Sequence, residues 1–144
     1  MENFVCALMD QHCAFNRLIG LTMVSAEGGQ AQCRISYRPE LMGDESVPAI
    51  HGGVISALAD TAGGAALWST VGSTARVATV DLRVDYLAPA GRADLLAEAF
   101  VSHRTQSLGF VDVSVTSAGA EVARARAVYC IRRPSEGGLQ SGET

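Results

Sequence analysis

Between His51 and Trp68 the chain runs HGGVISALADTAGGAALW, a stretch without proline and with no charge except Asp60. It reads as a helix whose first turn, Gly52-Gly53, is bare backbone. A helix that is apolar all round must be buried on all sides. Ala57, Ala59, Ala62, Gly63, Gly64, Ala65 and Ala66 would let neighbouring layers come close to it. Two polar features stand out against that background. The helix start presents unpaired N–H groups to an anion, and Asp60 is a carboxylate set among Ala, Leu and Gly, where burial penalises ionisation unless a polar or reactive group is near.

The flanks supply the layer that would bury such a helix. From Asn3 to Ile19, Phe4, Leu8, Cys13, Phe15 and Leu18 recur at helical spacing, which predicts one amphipathic flanking helix broken at Gly20. LTMVSAEGGQAQCRISYRP then reads as a hairpin turning at Glu27-Gly28-Gly29-Gln30, and a polar loop from Pro39 to Pro48 leads into the helix. After it come four β runs: ARVATVDLRVDYLAP, GRADLLAEAFVSHRT, SLGFVDVSVTSAG and AEVARARAVYCIRR. Val111, Val113 and Val115 alternate with polar residues, and Ala123, Ala125 and Ala127 follow Arg-rich alternation, so each strand has a dry face and a wet one. Ala90-Gly91-Arg92 and Ser117-Ala118-Gly119 suit turns between antiparallel neighbours. The expected architecture is α+β: about six antiparallel strands wrapped around a long central helix, with an N-terminal flanking helix.

A chain of 144 residues with 48% hydrophobic content suits one domain spanning 1–144. Its tail after Pro134, SEGGLQSGET, has the composition of a disordered segment. The N-terminus lacks a basic start with an apolar core, and no apolar run reaches membrane-spanning length, so a cytoplasmic protein without membrane contact is expected. Cys6, Cys13, Cys33 and Cys130 are dispersed and match no metal-ligand spacing, which predicts reduced thiols, no disulfide and no metal. A net charge of −4 argues against nucleic acid as a partner. Every basic residue is Arg, which is also the better bidentate partner for phosphate.

HGGVISALAD at His51 to Asp60, TVDLRVDYLAPA at Thr79 to Ala90 and FNRLIGLTMV at Phe15 to Val24 resemble the hotdog-fold acyl-CoA thioesterases, in the branch similar to the phenylacetate-pathway enzyme PaaI. The resemblance covers roughly residues 3 to 133. It implies the hotdog fold, an acyl-CoA substrate whose coenzyme A is part of the substrate, and no further cofactor. By position it implies that Gly52 gives a backbone N–H to the thioester oxygen, that Asp60 is general base or nucleophile, and that Thr79 assists water. The family often carries an Asn about six residues before the motif His; here Glu45 stands there, beside Asp44.

Each residue also has a plainer reading. Thioester hydrolysis needs donors aimed at the carbonyl oxygen, which Gly52 and Gly53 could supply, but two glycines also simply allow a tight turn. Asp60 could bond Ser56 one turn earlier and be structural. His51 lacks a nucleophile partner and better suits holding the loop. Thr79 could orient water or fill a strand. Arg104, Arg132 and Arg133 are candidates for coenzyme A phosphates, and Trp68, Met42 and Leu41 for an acyl pocket. Eight residues of helix place Gly52 about 12 Å from Asp60, too far for both to reach one carbonyl. A working site would combine Gly52 of one subunit with Asp60 of another, in a homodimer or homotetramer. A hotdog dehydratase or hydratase using His51, and a non-catalytic acyl-CoA-binding protein, are the alternatives.

Overall fold

The computed structural model describes residues 3–134, so the tail for which disorder is expected lies outside the described residues. The N-terminal segment forms two helices where one is expected: α1 (Phe4–Gln11) and α2 (Ala14–Ile19). They part at Cys13, whose backbone is extended. The Asn16 side-chain amide donates to the Met9 carbonyl at 3.2 Å, taking the acceptor that the Cys13 N–H would have used to carry one helix onward. Gly20 then stops α2 in the left-handed region, φ 71°, at the predicted break.

β1 (Leu21–Glu27) and β2 (Gln30–Ile35) form the expected hairpin, and a short 3₁₀ turn (Pro39–Leu41) precedes α3 (Gly52–Trp68). β3 (Arg76–Tyr86), β4 (Leu95–Arg104), β5 (Leu108–Ser117) and β6 (Ala120–Arg132) complete the chain. The six strands make one antiparallel sheet in the order β1-β2-β4-β5-β6-β3. Ala118-Gly119 turns a hairpin, as its composition predicts. Ala90-Gly91-Arg92 does not: β3 pairs with β6 at one edge while β4 pairs with β2, so this link crosses the sheet. Turn residues report that a chain reverses, not which strand it pairs with next.

α3 packs on one face of that sheet, against β2 to β6. Its second half, Ala62–Trp68, is buried throughout. The first half is not, contrary to the expectation of burial on all sides: Gly53, Ser56, Ala57, Asp60 and Thr61 form a stripe that reaches solvent. Their spacing is that of one helix face, so the small residues here leave a face open instead of receiving the sheet.

Beneath the buried half the sheet is shaped to the helix. Gly109, Tyr129 and Thr79 lie side by side on β5, β6 and β3 as direct cross-strand partners, and partners of that kind share a face. A side chain at 109 would overlap the Leu67 methyls, and one at 63 would overlap the Tyr129 hydroxyl. The two missing side chains let Leu67 settle on β5 and the Tyr129 ring slide under α3.

Gly109→Ala is therefore expected to destabilise the protein by about 1–3 kcal/mol through overpacking, since Leu67 is fully buried with nowhere to retreat. Urea unfolding measures it; a midpoint equal to wild type would show that the helix and sheet are not in contact at this point.

Candidate active site

Asp60 sits on the open stripe of α3, half-buried. Its carboxylate Oδ1 accepts a hydrogen bond from Thr79 Oγ1 at 2.8 Å. Ser56 does not bond it; that hydroxyl pairs with the Tyr86 phenol. Beside the carboxylate lies a cavity of about 170 Å³ walled by Met9, Cys13 and Asn16 from the N-terminal helices and by Trp68, Val77 and Tyr129. Phe4 meets Trp68 edge-on with centroids 5.8 Å apart. Leu41 and Met42 are elsewhere: Leu41 is core, and Met42 bridges Ile50 in the loop before α3. Of the three expected pocket residues, only Trp68 lines this cavity.

The helix start carries the second element. His51 is the N-cap, and its Nδ1 accepts the Gly53 N–H at 2.8 Å. The Val54 N–H returns to the His51 carbonyl at 2.9 Å. Gly53 is thus committed to the cap, and among the described residues Gly52 is left with the unpaired N–H of the first turn. The Tyr86 hydroxyl donates to the Gly52 carbonyl at 3.1 Å, while its ring lies over the glycine. Gly52 opens onto a different cavity, bordered by Ile55, Tyr86, Leu87 and Pro89, which does not include Asp60. The carboxylate and the free N–H of one chain face separate spaces.

β3 reaches both ends of this arrangement because it is not regular. Thr79 pairs with Tyr129 and Asp81 with Val128, which leaves Val80 as an extra residue. In an unbroken strand, positions 79 and 86 would point to opposite faces. The bulge switches the alternation, so Thr79 meets Asp60 and Tyr86 meets Gly52 on the same side. β3 is also an edge strand, and Val80, Tyr86 and Leu87 just past its end are each more than half exposed.

The remaining candidates lie apart from both cavities. Glu45 is exposed in the loop before α3 and makes no hydrogen bond or ion pair among the described residues. Arg104 ends β4 with Nη1 donating to the Thr70 carbonyl at 3.0 Å, and Arg133, just past β6, donates to the Gln106 carbonyl at 2.8 Å. Arg132 is exposed and pairs across the strands with Arg76. Sequence patterns do not single out Tyr129, Tyr86 or Asn16. Asn16 is 1% exposed, a burial unusual for its residue type that only the packing reveals. The four cysteines are free thiols, and burial together with the nearby Cys6 and Asp10 pushes the Cys33 thiol up to about 12. No three His, Cys, Asp or Glu side chains among the described residues are grouped to hold a metal ion.

Residues 48–131 match the thioesterase superfamily model. A Halobacterium salinarum protein whose name carries a provisional esterase assignment is 37% identical over 107 residues, 69% of this chain and 67% of that protein. The medium/long-chain acyl-CoA thioesterase YigI of Escherichia coli is 34% identical over 99 residues, 58% of this chain and 61% of YigI. The chain thus matches only about three-fifths of the length of that relative. Among solved structures, a point mutant of the phenylacetic acid degradation protein PaaI from Thermus thermophilus superposes with a TM-score of 0.73 at 25% identity, over 81% of this chain and 96% of that one.

Replacing His51 with Ala removes the cap and is expected to cost about 1 kcal/mol while speeding amide exchange at Gly53. Exchange at Gly53 as fast in wild type as in the variant would mean that the cap does not form in solution.

Proposed function

Because the chain belongs to the thioesterase superfamily, we propose that it hydrolyses an acyl-CoA to the free acid and coenzyme A, using Asp60 and the Gly52 N–H and no cofactor beyond the substrate. The observation that carries the reading is the Thr79–Asp60 hydrogen bond in the wall of a cavity that Met9, Trp68 and Val77 also line. Among the described residues, Asp60 is the one carboxylate in that wall. As general base it takes a proton from water held by Thr79; the new hydroxide adds to the thioester carbonyl, and the carbon–sulfur bond breaks as the thiol leaves with a proton. As nucleophile it would attack the same carbon and expel the thiolate, breaking the carbon–sulfur bond to leave an acyl–aspartyl anhydride; water then hydrolyses the anhydride to the free acid and Asp60, and the thiolate takes up the released proton. In either case negative charge grows on the carbonyl oxygen, where a preorganised N–H does most good.

Gly52 supplies that N–H, and it comes from a second copy. Within one chain the two groups open into different cavities, whereas the bulged, exposed edge β3 carries unpaired backbone groups that a second β3 could satisfy. A homodimer built on that edge, alone or within a homotetramer, brings Gly52 and Tyr86 of one chain toward Asp60 of the other. The acyl group takes the cavity under α1 and α2, whose 170 Å³ is similar to a void that admits a benzene ring, about 150 Å³. Arg104, Arg132 and Arg133, exposed at the strand ends, are the residues for the coenzyme A phosphates. His51, with Nδ1 given to the cap, holds the loop, which speaks against a dehydratase that uses it as acid and base. Among the described residues no helix is long and apolar enough to cross a membrane.

Asp60→Asn, nearly isosteric, should fold normally and lose about a hundredfold or more in turnover. Acyl-CoA hydrolysis followed with a thiol reagent measures it, and ligand binding without turnover in wild type would favour the non-catalytic binding protein instead.

The shared site has its own test. Gly52→Pro removes the donor N–H at a helix position that tolerates proline, with the exposed Tyr86 ring yielding slightly. Asp60→Asn and Gly52→Pro chains, each inactive alone, should recover about a quarter of wild-type activity when mixed, from one intact site in half of the randomly paired dimers. Verified mixed oligomers with no activity would place both groups of each site in one chain.

A further inference from the structure

We propose that Tyr129 is a positioning residue for Asp60, and that Gly63 is small so that the phenol can reach its place. Tyr129 is on β6, 1% exposed, and its hydroxyl donates to the Asp60 main-chain carbonyl at 2.8 Å. That oxygen already serves α3 internally, so the phenol uses its second lone pair. Thr79, the cross-strand partner of Tyr129, holds the side-chain carboxylate of the same residue. Asp60 is therefore gripped at both ends by two adjacent residues of the sheet, main chain by Tyr129 and side chain by Thr79.

Both grips are needed because Asp60 lies on the open stripe of α3. The helix there has no sheet above its exposed side, and Asp is a poor helix-interior residue. The Thr79 bond holds only the side chain. A buried phenol anchored in the middle of β6 fixes the turn itself. The Tyr129 hydroxyl would overlap any side chain at position 63, so the contact depends on bare backbone one turn beyond Asp60. Burial, followed by the charge and hydrogen bonding of Asp60, pushes the phenol far above its ordinary pKa, so it remains a donor at any working pH. The other titratable groups around it are Cys33 on β2, itself protonated, and Cys13, which lines the same cavity from the N-terminal helices.

The inference rests on the thioesterase reading for its kinetic consequence but not for its geometry, and the experiment separates the two. Wild type, Tyr129→Phe and Gly63→Ala are compared by acyl-CoA kinetics, by thermal melting and by the 13C resonance of the Asp60 carboxyl at neutral pH. Phe keeps the ring and loses only the hydroxyl. Tyr129→Phe is expected to lower kcat about tenfold, with KM within about twofold and a displaced Asp60 resonance. Gly63→Ala, which drives the phenol off from the other side, should show the same pattern with a larger loss of Tm. An Asp60 resonance in Tyr129→Phe identical to wild type overturns the proposal whatever the turnover. A displaced resonance in Tyr129→Phe, found together with a wild-type protein that hydrolyses no acyl-CoA, would uphold the positioning and discard the activity.

Discussion

The close approach of α3 to the sheet is the contact on which everything else rests. It is made possible by two absent side chains, at Gly63 and Gly109, and by one large residue that uses the space, Tyr129. Dispersion and apolar burial in such a seam fall off steeply with separation. The same seam sets the height of Asp60 above the strands. If α3 stood off by the width of a methyl group, the Thr79 hydroxyl would no longer reach the carboxylate at 2.8 Å. Stability and site geometry are here one constraint, because the residues that close the core stand in the same cross-strand row as the residue that holds the carboxylate.

The second constraint is the bulge at Val80. A regular β3 could give its helix-facing positions either to Asp60 or to Gly52, not to both, since 79 and 86 differ in parity. One extra residue resolves the conflict and has a further effect at the edge of the sheet. Val80 itself is 60% exposed, so the device that serves both the start and the middle of the helix also leaves an apolar side chain on the unpaired edge. Exposed edge strands invite pairing unless they are blunted. β3 carries Asp81, Arg83 and Asp85 after the bulge but has no proline and no lysine to guard it.

Much of this is legible in the sequence because it obeys local periodicity. The helix from Gly52 to Trp68 and the six strands appear where the residues predict them, whereas the Thr79 bond to Asp60 stands in place of the bond to Ser56 that helical spacing offers. What is not legible depends on distant partners. Tyr129 meets Asp60 across 69 positions, and on its own strand it reads as one more inward residue. Tyr86 cannot be placed from sequence because the bulge that turns it toward Gly52 is a property of the β3–β6 register, not of β3 alone. The split of the N-terminal helix turns on one side-chain amide competing with the backbone. The crossover after β3 turns on which strand claims the edge.

The start and the middle of α3 show how the work of one helix is divided. At its start, His51 satisfies one orphan donor and the chain's own turn satisfies another, so the positive end of the helix is focused on the single N–H of Gly52. Two turns later, Asp60 is held at both its carbonyl and its carboxylate. Each group is rigid, and each opens outward into its own cavity. Rigidity is what makes the separation decisive: a flexible loop could fold one group onto the other, but a capped and pinned helix cannot shorten. A carbonyl too small to span that separation cannot meet both groups of one chain, so the proposed site takes its N–H and its carboxylate from different copies, and the exposed, bulged edge is where the second copy would seat.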